Sequence, residues 1–161
     1  MDMVKFAILA AGSIAAKMSA AVSELPEIKR YAVASRDKAR AEEFAKEWGY
    51  EKAHGSYEEM LADPEVELVY VASPHSHHYA HARMCIEAGK HVLVEKAFTV
   101  NAGQAKELIA LAREKKVLLV EAMWTRFMPA RQMIDDLIAE GTIGVQNMQR
   151  TQHRQIILKN S

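Results

Sequence analysis

Apolar residues along this chain alternate between short continuous runs and longer stretches of helical period. Val4 to Leu9 is a compact apolar run, Gly12 breaks it, and Ser13 to Val22 is predicted to be a helix whose free first-turn amides face back toward the glycine. Tyr31 to Ser35 reads as a second strand, followed by a helix over Arg36 to Trp48 in which Ala39, Phe44, Ala45 and Trp48 share a face and which Gly49 ends. Ser56-Tyr57-Glu58-Glu59 has the spacing of a capping box ahead of a short helix through Ala62, and Asp63-Pro64 stops it. Leu68 to Ala72 is another buried strand, Pro74 opens a histidine-rich turn, and Tyr79 to Ala88 is a helix that Gly89 hands over to a strand at His91 to Val94. Asn101 to Lys115 is the next helix and Val117 to Glu121 the next strand, while Lys52-Ala53-His54 is too short to read clearly as one.

Repeated strand-helix alternation with nearly continuous apolar strands predicts an α/β fold built on a doubly wound parallel sheet, Rossmann-like in plan. After Met123 the character changes. Trp124-Thr125-Arg126-Phe127 leads to a helix opened near Pro129, with Met133, Leu137 and Ile134 expected to face a core, and Gly141 and Gly144 bracket its exit. Val145 to Arg150 then reads as the start of a further strand, and Thr151 to Ser161 as a frayed or artificially terminated tail. The organisation predicted is a dinucleotide-binding domain over residues 1–123, with residues 124–161 a linker helix and only the beginning of a second α+β domain.

Composition narrows the function classes. The 161 residues suffice for one well-buried domain but not for a second of comparable size. Half are apolar, and 21 basic residues balance 21 acidic ones, so there is no electrostatic reason to seek nucleic acid or a membrane surface. The single cysteine, Cys85, has no partner for an internal disulfide, and the N-terminus lacks the features of a secretion signal, which makes the cytoplasm the expected compartment. Apolar surface from Phe127 to Ile143 is expected to favour self-association as a homo-oligomer.

Chemistry gathers at the strand ends, and the carboxyl edge of an open parallel sheet is where such folds bind ligands. Gly12, Ser13 and Ile14 open the first helix, where backbone amides and the helix dipole can cradle phosphate. The full dinucleotide fingerprint wants glycine where this chain has Ala10, a substitution the turn accommodates if it needs no positive φ. At the end of the second strand, Ser35-Arg36 stands where a carboxylate would hold a ribose 2′-hydroxyl. Arginine instead pairs with a 2′-phosphate, favouring NADP over NAD. Asp37 either fills a diluted carboxylate role or favours the following helix. His75, His77, His78 and His81 have helical spacing, yet no cysteine or acidic ligand adjoins them, so a loop lining the dinucleotide crevice is preferred to a metal site, with His81 a helix-surface or packing residue. Glu95 and Lys96 end a strand and cannot share a face; the pair reads either as a strand-end salt bridge or as one structural and one cleft residue. A lysine there could pass a proton to or from substrate oxygen while nicotinamide carries hydride.

Several separated segments, in order, resemble the glucose-fructose oxidoreductase and inositol 2-dehydrogenase family (Gfo/Idh/MocA), most of all its dihydrodiol dehydrogenase branch. They are Ala34-Ser35-Arg36-Asp37, the run Gly55 to Pro64, Pro74-His75-Ser76-His77-His78, the run Gly89 to Asn101, and Glu121 to Phe127. The resemblance implies an oxidoreductase acting on a sugar-like polyol, diol or carbonyl substrate, with Lys96 as the catalytic lysine and Glu95 its cofactor-side neighbour. It also implies cofactor contacts from Gly12, Ser13, Ile14, Ser35, Arg36, Ser73, Pro74 and His78, with Trp124 and Arg126 in the segment leading out of the cofactor domain. Two departures stand out: Ala97 where the family continues from lysine into proline, and Ala10 for the first glycine. A non-catalytic dinucleotide-binding or assembly remnant of the same fold is the alternative expectation.

Overall fold

The computed structural model describes residues 3–142. Six parallel strands, β1 (Val4–Leu9), β2 (Ile28–Ala34), β3 (Lys52–His54), β4 (Leu68–Val71), β5 (His91–Glu95) and β6 (Leu119–Ala122), form one sheet in the order β3-β2-β1-β4-β5-β6. The order runs outward from β1 in both directions, so the chain reverses its winding between β1 and β4. Between the strands lie α1 (Ser13–Val22), α2 (Lys38–Trp48), α3 (Tyr57–Leu61), α4 (His78–Glu87) and α5 (Ala102–Lys115).

The near-continuous apolar runs have their explanation in burial on both faces. Ala7, Leu9, Ala32, Ala34, Val69, Val71, Val92 and Val94 join residues of α3, α4 and α5 in one core cluster. Phe6, Ile8, Val33 and Tyr70 alternate with these and are equally buried, so they project from the opposite face. The rings of Phe6 and Tyr70 stack there, 6.4 Å apart. Register fixes the level of the strand ends: Leu9 pairs with Ala34 and with Val71, and Val71 pairs with Val94. The turns that follow these four residues therefore emerge side by side.

Element boundaries depart from the sequence pattern where local bonding overrides periodicity. β2 begins at Ile28 rather than Tyr31, because Ile28, Lys29 and Arg30 pair with Val4, Lys5 and Phe6 despite their charges. Lys52 to His54 is a true strand, registered on Ala32 to Ala34. Asp37 is the N-cap of α2, its carboxylate accepting from the amides of Ala39 and Arg40, and Ala41 rather than the exposed Ala39 joins Phe44 and Ala45 on the buried face. Gly49, at φ 70°, ends that helix in the left-handed region. Ser56 caps α3 by accepting from Glu59 N at 3.1 Å, while the reciprocal bond to the Glu59 carboxylate comes from Gly55 N. Val117 is not the start of a strand: its amide closes α5 onto Ala112 O at 3.0 Å, and β6 begins two residues later.

The chain divides into two compact units between Glu121 and Ala122. In the second, a 3₁₀ turn at Trp124–Phe127 precedes α6 (Pro129–Ala139). Contrary to the periodicity, α6 buries none of its residues: Met133 is 65% and Ile134 50% exposed. The short turn it packs against offers too little surface to cover an apolar stripe. The strand expected at Val145 to Arg150 and the tail from Thr151 lie outside the described residues. Among the described residues no helix is long and apolar enough to cross a membrane.

Candidate functional site

The turn after β1 is tied down on one side and open on the other. Ala10 N donates to Ala34 O at 3.0 Å, Gly12 N donates back to Ala10 O at 3.0 Å, and Ala10 takes φ 81°. The turn thus does require a positive φ, and alanine occupies that position. Gly12, in contrast, sits at φ −122° and ψ −174°, an extended conformation open to any residue. A Cβ built on Gly12 would meet nothing within 4 Å, and as N-cap of α1 it offers no side-chain bond to the first-turn amides. Donors of Ser13 and Ile14 beside an unfilled cradle are the arrangement that suits a dinucleotide pyrophosphate. The residues present fit that group.

Around this turn the sequence reading missed Arg40. From the first turn of α2 its Nε donates to Ala11 O at 2.9 Å, which places a guanidinium against the glycine turn. Its i,i+4 spacing from Arg36 was the available signal. Arg36 itself is exposed and makes no hydrogen bond or salt bridge among the described residues. Ser35 is buried, its amide donating to His54 O at 3.1 Å and its hydroxyl accepting from Asp37 N at 3.3 Å. With Asp37 committed to capping α2, the carboxylate reading of that residue loses to the helical one.

The loop after β4 forms the next wall. His81 Nδ1 lies 2.8 Å from the Ser73 hydroxyl, its ring meets Tyr57 edge-on at 4.9 Å, and His77 stacks on it at 5.5 Å. Burial first, then the neighbouring His77, His78 and Arg36, hold His81 below the ordinary imidazole range. Arg36 also opposes the upward push of burial on the Tyr57 hydroxyl, so Arg36, Tyr57, His77 and His81 share one electrostatic neighbourhood. Among the described residues no group of three His, Cys, Asp or Glu side chains could hold a metal ion.

Glu95 and Lys96 part company as strand alternation requires. Lys96 is exposed; Glu95 is 7% exposed and turned inward, where it accepts from Tyr70 OH at 2.5 Å and from Lys96 N at 3.1 Å. Burial first, and then the bond to Glu95, raise the Tyr70 hydroxyl far above its usual value. Among the described residues the strand-end salt bridge is not formed, and the Glu95 carboxylate braces the start of the lysine segment through the Lys96 amide. Beyond Lys96 the peptide to Ala97 is cis, and Phe98 N donates to the Glu121 carboxylate at 2.9 Å. His78, 0% exposed, reaches Ser73 O through Nε2 at 2.8 Å and Ala97 O through Nδ1 at 2.7 Å.

Register thus brings Gly12 to Ile14, Ser35 and Arg36, Ser73 to His78, and Glu95 and Lys96 to one sheet edge, at the switch between β1 and β4. Trp124 and Arg126 belong to the second unit, in its 3₁₀ turn, where Trp124 is 61% exposed.

Comparison with known proteins agrees with this geometry. Residues 4–123 match the model of an oxidoreductase family with an NAD-binding Rossmann fold. The chain is 44% identical over 142 residues to trans-1,2-dihydrobenzene-1,2-diol dehydrogenase of Mus musculus, covering 87% of this chain and 43% of that protein. It is 43% identical over 152 residues to D-xylose 1-dehydrogenase (NADP(+)) of Hypocrea jecorina, covering 87% and 39%. Among solved structures, the 3-ketoreductase KijD10 of Actinomadura kijaniata in complex with TDP-benzene and NADP superposes with a TM-score of 0.85 at 31% identity, over 89% of this chain and 45% of that one. The chain spans less than half the length of these relatives. With the fold, the strand-end geometry and the family match in agreement, the chain belongs to the Gfo/Idh/MocA oxidoreductase family, whose NAD-binding Rossmann fold it carries.

Proposed function

We propose that this chain binds NADP, with NAD the weaker alternative, as the cofactor half of an oxidoreductase that transfers hydride between nicotinamide and a sugar-like polyol, diol or carbonyl. The observation that carries the reading is the pairing of an open, glycine-lined helix N-terminus with Arg36, an exposed guanidinium at the end of β2. Arg36 can meet a 2′-phosphate in bidentate fashion, and Arg40 adds positive charge at the glycine turn. The relative that is a D-xylose 1-dehydrogenase (NADP(+)) and the NADP bound in the ketoreductase support the same choice.

When bound, the nicotinamide supplies or accepts the hydride. Lys96 holds or takes the proton at Nζ beside the substrate oxygen, its backbone braced by Glu95 and, through Phe98, by Glu121. Ser73, Pro74 and His78 form the loop beside the dinucleotide, and Trp124 with Arg126 lead out of the cofactor domain. The second reading is a module of the same fold that binds the dinucleotide without turnover.

Titration with NADPH and NADH at controlled salt tests the cofactor. Tighter NADPH binding that Arg36→Ala reduces by about 10- to 150-fold, the equivalent of one charge-assisted contact, is expected. Equal affinity for the two dinucleotides, unmoved by the substitution, would refute it. Oxidation of NADPH with a panel of dicarbonyls and sugar-derived ketones, compared with Lys96→Met, separates the two readings. Lysine-dependent turnover selects the enzyme, and binding alone selects the module.

A further inference from the structure

We propose that His78 is a buried, doubly protonated clamp that ties the loop after β4 to the segment carrying Lys96, and that losing one of its protons loosens that segment. Both ring nitrogens lie within 2.8 Å of carbonyl oxygens, Nε2 of Ser73 O and Nδ1 of Ala97 O, on a side chain with no exposed surface. A carbonyl oxygen only accepts. A neutral imidazole has one N–H, so it satisfies one of the two carbonyls and turns a lone pair on the other; only the imidazolium donates to both. Turning the ring over does not help, because it would set carbon atoms against both oxygens.

Chain geometry explains why a histidine suits the place. His78 is the first residue of α4, so its side chain projects back toward the loop it has just left, where Ser73 lies five residues earlier and Ala97 follows β5. The charged groups around the ring do not supply a counter-ion. His75 meets it edge-on at 5.3 Å, and His81 on the same helix is electrostatically coupled to it. His77 precedes it at the positive end of α4, and Lys96 adjoins Ala97. The carboxylate of Glu95 on β5 is engaged by Tyr70 and Lys96 N, and that of Glu121 on β6 by Phe98 N. Two carbonyl oxygens, rather than a counter-ion, thus hold the two ring protons. The sign is that of a base bound better when charged: the clamp is complete on the acid side and is lost as pH rises.

The consequence for proton transfer rests on Lys96 having the role proposed above, but the clamp itself is measured without cofactor. In the intact chain, ¹⁵N spectra of the imidazoles should show His78 protonated at both nitrogens on the acid side. As it loses one proton, the exchange protection of the Phe98 amide, corrected for intrinsic pH dependence, should fall about tenfold, the scale of one hydrogen bond. His78→Gln, with a donor on one side only, should show the weaker protection at every pH. A His78 ring bearing a single proton throughout overturns the proposal, as does a titration that leaves Phe98 protection unchanged. If the variant does not fold, the titration of the unaltered chain still decides.

Discussion

Gly12→Ala should leave the fold almost untouched while removing the dinucleotide. The added methyl meets nothing within 4 Å, and the backbone at φ −122° is open to alanine, so the change lowers the entropy of the unfolded chain and favours folding by about 0.4–1 kcal/mol. Against this, Gly12 is the N-cap of α1, where alanine is the poorer residue by a similar amount, roughly 0.5–1 kcal/mol. The two effects nearly cancel, and denaturant unfolding should give a midpoint equivalent to a change of no more than about 0.5 kcal/mol with an unaltered slope. Binding has no such compensation. The methyl would take up part of the open space at this helix end where the proposed phosphate would sit, and loss of one charge-assisted bond, about 1.5–3 kcal/mol, would weaken NADPH by about 10- to 150-fold. A stability loss well above 1 kcal/mol would mean that the glycine is structural. Unchanged NADPH affinity in a folded variant would mean that this helix end is not the phosphate site.

Ala10→Gly reverses the argument: at φ 81° the methyl costs roughly 1–2 kcal/mol, more than the roughly 0.4–1 kcal/mol of unfolded-state entropy that glycine adds, so the midpoint should rise, whereas glycine at the helical Ala15 should lower it. Equal destabilisation at both positions would refute this. For Asp63, burial alone would raise the carboxyl, but Lys52, the Glu65 amide and the Tyr31 hydroxyl together hold it below the ordinary value. A carboxylate favoured in the fold contributes stability above its unfolded titration, near pH 4, and loses it as pH falls. Asp63→Asn should therefore be less stable at neutral pH yet lose less on acidification, and parallel pH profiles for the two proteins would count against the assignment.

How much of this was written in the sequence depends on the range of the interaction. Strand-helix alternation, the parallel sheet, the cap at Ser56 and the stop at Gly49 rest on nearest neighbours and periodicity, and they are legible one segment at a time. The strand-end positions of Gly12, Arg36, Ser73 and Lys96 were legible for the same reason. What needed the tertiary structure was each contact between segments distant in sequence. Only the pairing of β3 with β2 makes a strand of Lys52 to His54, since three residues carry too little pattern to declare themselves. That Ala10 and not Gly12 bears the positive φ follows from its bond to Ala34 on the neighbouring strand. Tyr70, 25 residues before Glu95, decides that this carboxylate faces inward, and Ser73 and Ala97 together decide what His78 must donate. Periodicity gives a residue its face, but the identity of the partner waiting there is a property of the assembled sheet.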